Sequence, residues 1–202
     1  MSFNKFSRLI GLMVLVLSIS VAAVSAQPIH VLEFIERHGN VAPFQQSDAT
    51  QVEVAEDGSR FVFDDLNLFE DGMPGYGSAF VTQGYIYPVG TLNGSNGVLE
   101  NGEPEFPDQV LGTWTCYGWM IGDGARTETG EWVISTQVYQ FNDGSTVITD
   151  GFEIVDFDMP VSRAITGGTG EHRSASGEMV QILRGFTDAM GVNLSVEFNF
   201  DN

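Results

Sequence analysis

Ala164-Ile165-Thr166-Gly167-Gly168-Thr169-Gly170, continuing as Glu171-His172-Arg173-Ser174-Ala175-Ser176-Gly177-Glu178-Met179-Val180, is the stretch on which the fold turns. An apolar strand ends, the chain bends on three glycines, and a second strand begins. Glycine tolerates positive φ and lets backbones approach closely, so Gly167, Gly168 and Gly170 suit a tight strand-to-strand corner, and Gly177 suits a bend or bulge in a barrel wall. A phosphate-binding loop would need a helix start after the glycines, with a lysine at fixed spacing in the phosphate-loop form. The run leads instead into the strand-like Met179-Val180-Gln181-Ile182-Leu183, which argues against nucleotide binding.

Outward from this corner the apolar period is mostly two. Candidate strands lie at 30–37, 60–69, 78–87, 110–121, 131–141, 146–155, 161–166, 176–183 and 193–200. Turn chemistry separates them: Glu56-Asp57-Gly58, Glu70-Asp71-Gly72 and Asn142-Asp143-Gly144 each bring the residue types that hairpins use. No stretch shows a capped helical face, so the pattern reads as an all-β antiparallel barrel or sandwich. The stretches 39–57 and 90–109 read as surface loops, and long loops near a barrel mouth can act as lids.

The start of the chain speaks to destination. Lys5 and Arg8 precede an apolar run from Leu9 to Val24, and Val24-Ser25-Ala26 offers small residues before Gln27, the form of a secretory signal peptide cleaved after Ala26. A secreted or periplasmic protein is expected, with one domain over 27–202, and no membrane attachment after cleavage. All 27 acids lie in that mature part against six arginines and no lysine, which is a formal charge of −21. Such a surface repels nucleic acid and anionic membrane and suits salty surroundings, where screening relieves self-repulsion. With Cys116 the only cysteine, no intrachain disulfide can form.

The glycine corner resembles the Gly-Gly-Thr-Gly signature of the allene oxide cyclase and dirigent protein barrels, with Ala175-Ser176-Gly177 standing where those families carry Ala-Arg-Gly or a relative. Glu33-Phe34-Ile35-Glu36-Arg37 is similar to the Glu-Ile-Asn-Glu-Arg run of the cyclases, and Phe61-Val62-Phe63-Asp64-Asp65-Leu66 to their Val-Pro-Phe-Thr-Asn segment. Tyr139-Gln140-Phe141, Gly151-Phe152-Glu153 and the stretch 193–200 fall where those families place later strands. The resemblance implies an eight-stranded, lipocalin-like antiparallel barrel with an interior pocket, commonly a homotrimer. It further implies a function: binding a small hydrophobic molecule and directing its cyclisation or stereoselective coupling, an isomerase-like task done by orientation and exclusion of water.

An acid inside such a barrel can steer a proton or a developing positive charge. The resemblance brings Glu33 forward for this, alternation placing it with Val31 and Ile35, and adds Asp65 and Glu171 as further acidic positions. The opposite phase, with Leu32 and Phe34 inward and Glu33 in solvent, stays open, as does a solvated turn for Glu171 and Arg173. Ile35 and Asp65 stand where the cyclases carry asparagines and Ser176 where dirigent proteins carry arginine, so those donors are missing. Phe63, Tyr85, Cys116 and Tyr139 are candidate ligand-binding residues, although they equally suit a packed core or a subunit interface. His30, His38 and His172 are too scattered to propose a metal, and no motif calls for a cofactor. The competing reading is a non-catalytic secreted barrel that binds a small molecule or serves as a structural module.

Overall fold

The computed structural model describes residues 51–201. Its strands are β1 (Gln51–Glu56), β2 (Val62–Phe63), β3 (Ala79–Pro88), β4 (Gly112–Met120), β5 (Glu131–Phe141), β6 (Thr146–Ile154), β7 (Pro160–Thr169), β8 (Gly177–Phe186) and β9 (Val192–Phe200). All pairings are antiparallel between neighbours from β3 to β9, and β1 pairs with both β9 and β3. That double pairing closes β1 and β3–β9 into an eight-stranded barrel, with β2 as a short addition along β3. Closure satisfies both edges of β1 and removes the exposed hydrogen-bonding row that an open sheet would present.

Alternation fixes what faces in. Val52, Val54, Phe80, Ile86, Trp114, Cys116, Met120, Val133, Tyr139 and Phe141 project into one apolar core with Val147, Ile165, Met179, Leu183, Leu194, Val196 and Phe198. The end at which β5 and β9 finish is stacked with rings: Phe141 lies 5.6 Å from His172, His172 stacks at 5.3 Å on Phe200, and Phe198 meets Tyr139 edge-on at 5.0 Å. His172 thus belongs to an aromatic plug. The opposite end, where β1, β4, β6 and β8 finish, carries the acids discussed below.

The sequence places β3–β9 to within a few residues, but two segments differ. The 60–69 stretch is a strand only at Val62–Phe63, because Asp57 Oδ1 accepts from Ser59 N to start a 3-10 turn and Asp64 accepts from Leu66 N and Ala79 N. Short side chains that bond the local backbone compete with a ladder. Conversely, the 39–57 stretch is not all loop, since Gln51–Glu56 is the strand that closes the barrel. The 30–37 strand and the leader both lie outside the described residues. The 90–109 loop lies along the outer wall, where Tyr87 donates to Gly97 O at 2.6 Å, Leu92 N donates to Glu53 at 2.8 Å and Asn193 Nδ2 donates to Ser95 O at 2.9 Å, and it reaches the β8–β9 turn through Asn96 Nδ2, which donates to Asp188 at 3.2 Å.

The glycine corner is built differently from its reading. Gly167 and Gly168 remain inside β7, past a register shift opposite Ile148 and Thr149, and the turn itself is the short 3-10 helix Gly170–His172. Gly170 takes φ 60, a conformation L side chains rarely adopt. A Cβ at Gly168 would sit 2.5 Å from both His172 O and Thr146 O, whereas one at Gly167 would meet nothing within 4 Å. Gly168→Ala is therefore expected to cost about 2 kcal/mol or more and Gly167→Ala less than about 1 kcal/mol, read from denaturant midpoints. Equal effects would show that close backbone approach is not what the corner requires.

Candidate functional site

Three acids project into or against the barrel near the end where β1 finishes: Glu56, Asp57 and Glu153, each under a tenth exposed. Glu56 continues the inward phase of Val52 and Val54 on β1. Glu153 shares the inward phase of Val147 and Thr149 on β6 and pairs opposite Val133, beside the β5 bulge between Glu131 and Val133. Arg163, fully enclosed on β7, shares the inward phase of Ile165 and lies with Nη1 3.7 Å from Glu153 Oε1.

Glu153 is surrounded by donors. Ser135 Oγ donates to its Oε1 at 2.5 Å, and the Cys116 thiol approaches the same oxygen at 3.4 Å. A directional chain reaches the other oxygen: Tyr139 OH donates to Gln137 Oε1 at 2.6 Å, Gln137 Nε2 to Gln181 Oε1 at 2.8 Å, and Gln181 Nε2 to Glu153 Oε2 at 3.0 Å. Each link fixes the amide orientation of the next, so the chain delivers a donor to the carboxylate. Burial alone pushes the Glu153 carboxyl up, but the Arg163 charge and the bonds from Ser135, Gln181 and Gln137 outweigh it and hold the group below the usual carboxylate range. Burial and the adjacent Glu153 charge push the Cys116 thiol well up, leaving it a neutral donor and no nucleophile.

Glu56 has the opposite balance. Its Oε2 accepts from Val192 N at 2.8 Å, and the Thr82 hydroxyl lies beside the carboxyl without an aligned hydrogen bond. Burial pushes this carboxyl up to about 7, the charges of Glu153 and Asp57 adding to the rise against the two hydrogen-bonding neighbours. One interior acid is thus a fixed anion and the other exchanges its proton near neutrality. Two carboxyls whose surroundings drive them apart are the pattern of an acid and base assignment.

The expected site residues are dispersed. Glu33 lies outside the described residues. Asp65 is exposed in the turn after β2, and Glu171 is exposed on the 3-10 turn after β7, so neither is an interior acid. Phe63 is half-buried on β2 beside Phe61 at 5.9 Å. Tyr85 corrects an expectation: its phase on β3 is outward, and its hydroxyl donates to Gly102 O at 2.8 Å beneath the covering loop. Cys116 and Tyr139 do face the interior, both linked to Glu153 as described. Among the described residues no three His, Cys, Asp or Glu side chains gather as a metal set. Glu56, Glu153 and Arg163 were missed, although each shares a strand phase with apolar neighbours, and that phase was the available signal.

Stability should register Glu56. The folded state holds this proton more tightly than the unfolded chain between pH 4.5 and about 7, so stability falls as pH rises through that window and then levels off. Once ionised, the group withholds about 3 kcal/mol. Glu56→Gln is expected to flatten this slope and to be more stable than the wild type at pH 8, measured by urea unfolding across pH 4–9. A variant whose profile overlays the wild type would remove Glu56 as the titrating acid.

No protein-family model and no curated protein sequence matches the chain. Solved structures do. The pterocarpan synthase dirigent protein PsPTS1 superposes with a TM-score of 0.54 at 15% identity, over 75% of this chain and 94% of its own. The pterocarpan synthase dirigent protein GePTS1 gives 0.45 at 12% identity, over 78% and 92%, and a pyocyanin demethylase 0.46 at 14% identity, over 74% and 98%. The chain thus has the fold of the dirigent protein barrels, as the glycine corner and the order of strands implied.

Proposed function

We propose that this is an exported barrel that takes a small apolar, reactive molecule into its interior and directs its cyclisation or coupling, with Glu56 exchanging one proton with the ligand. The supporting observation is the unequal surroundings of the two interior acids: Glu56 is buried with a single backbone donor beside Glu153 and Asp57, which pushes its carboxyl up to about 7, whereas Glu153 lies against Arg163 among donors that hold its carboxyl low. In the protonated form Glu56 gives its proton to a basic atom of the ligand and becomes a carboxylate; in the ionised form it removes a proton and becomes the acid. A group with a midpoint near the working pH serves both directions. Glu153, held ionised beside Arg163, contributes a fixed negative charge that favours positive charge developing nearby. Orientation inside a water-poor barrel supplies the rest.

The test is binding of the neutral probe N-phenyl-1-naphthylamine, followed by fluorescence across pH 5–9. Wild type is expected to bind it with a pH dependence centred near 7. Glu56→Gln should bind it without that dependence, whereas Glu33→Gln should leave the dependence intact. Absence of binding would favour the structural-module reading. Loss of the dependence in Glu33→Gln alone would move the proton to Glu33.

The partner we propose is a second and third copy of the chain. Val62, Val81 and Tyr117 align across β2, β3 and β4, and Trp119, Ile134 and Phe152 align beside them across β4, β5 and β6 on the outer face. Each is 40 to 60% exposed. On a chain with 27 acids this stripe of six side chains carries no charge, and strongly acidic copies can meet only where like charges are absent. Sedimentation should show a trimer that Trp119→Glu converts to monomer; a monomeric wild type at micromolar concentration would refute the assignment.

A further inference from the structure

The Arg163 guanidinium has five N–H groups, and all five are directed at its own chain. Nη1 donates to Gly151 O and Phe152 O, both at 3.1 Å. Nη2 donates to Ser135 O at 2.8 Å and, at longer range, to Thr149 O at 3.5 Å, while Nε points at Thr149 Oγ1 at 3.4 Å. The acceptors span β5 and β6 and include both residues that precede Glu153. Gly151 makes room for this: its φ is 157, and a Cβ there would lie 3.2 Å from Arg163 Cγ. Glu153 receives the charge of the guanidinium at 3.7 Å but no aligned hydrogen bond from it. With its donors spent on carbonyls and the Thr149 hydroxyl, Arg163 offers nothing to a bound molecule.

We propose that Arg163 is a positioning residue that keeps Glu153 ionised and so leaves Glu56 as the interior carboxyl that carries the exchangeable proton. The groups involved come from every neighbouring element. Glu56 on β1 is faced by Glu153 from β6 and by Asp57 of its own segment. Glu153 is faced by Arg163 from β7, Cys116 from β4 and Tyr139 from β5. Take away the cation and a fully buried carboxylate has lost its counter-charge, so it takes up a proton; the repulsion that Glu153 exerts on Glu56 disappears with it. The proton's residence then exchanges between the two acids. The inference rests on the functional reading above, because it assigns which group serves that reading.

Carboxyl NMR of glutamate-labelled protein tests it without any ligand. In the wild type one interior signal, absent in Glu56→Gln, is expected to titrate near 7, and that of Glu153 to show the ionised shift throughout pH 5–8. In Arg163→Met the Glu153 signal should titrate within that range and the Glu56 midpoint should fall by about one pH unit. Arg163→Lys, which restores the charge without the fork, should return Glu153 to the ionised shift, an effect that packing alone does not predict. If Arg163→Met does not fold, the charge-free pair Arg163→Met/Glu153→Gln replaces it, since removing both partners of a buried pair avoids a stranded charge. Its Glu56 midpoint should fall by the same amount. Glu153 ionised throughout in Arg163→Met, or an unmoved Glu56 midpoint in either variant, would overturn the proposal. A protein that binds no probe but titrates as expected refutes the functional reading and leaves the role of Arg163 standing.

Discussion

Closure of the barrel by β1, held on one side by β9 and on the other by β3, is the constraint from which the rest follows. A closed wall leaves an inward polar group with only other inward side chains and the wall's own unpaired backbone groups as partners. In water a carboxylate would be solvated at no cost; inside this wall its charge is expensive unless donors and a cation are built around it. Glu153 has both, through Ser135, Gln181 and Arg163. Glu56 has one backbone donor and two acidic neighbours, and so it holds its proton to higher pH. The same enclosure that makes these groups costly makes their small differences of surroundings large in effect.

Bending the wall tightly enough to close has its own signature. At Gly84, Gly112 and Gly118 an added Cβ would fall 2.1 to 2.2 Å from a carbonyl oxygen of the adjoining strand. These glycines lie on β3 and β4, which reach from the closing strand towards the stripe of exposed apolar residues. Bare backbone lets neighbouring strands approach at the corners of a small barrel, and bulky inward residues such as Trp114 and Tyr139 fill the space between corners. The ring stack of Phe141, His172, Phe200 and Phe198 finishes the packing at one end. Polar interior groups therefore collect towards the other end and at mid-depth.

Much of this wall is legible from period two. From β3 onward, alternation of apolar and polar residues identifies the strands, and asparagine, aspartate and glycine mark the hairpins. What escapes is informative. Gln51–Glu56 is short, follows a polar stretch and puts a glutamate at an inward position, so its apolar signal rests on Val52 and Val54 alone. The 60–69 stretch has strand-like composition, yet Asp57 and Asp64 bond the local backbone and spend the donors a ladder needs. Glu153 and Arg163 are hidden for a related reason: a charged residue reads as surface, and its partner sits on another strand. The phase with Ile165 was the clue for Arg163, but phase shows which side a residue faces and not what it meets there.

Retaining an ion pair at such depth calls for a cause beyond stability. Apolar residues of similar volume commonly replace a buried pair without loss, and often with gain. Arg163 does tie β7 to β6 and β5 through the carbonyls of Gly151, Phe152 and Ser135, but neighbouring strands can be packed without charge. An apolar pair could not set a fixed negative potential beside Glu56, nor point the amide chain of Gln137 and Gln181 in one direction. The polarity of that chain depends on an anion at its end: were Glu153 neutral, its own hydroxyl would compete as a donor, and Gln181 and Gln137 would be free to turn over. One buried cation thus orders a network that reaches across β4, β5, β6 and β8. The charge distribution, more than the hydrophobic core around it, is what distinguishes this barrel interior from a merely filled one.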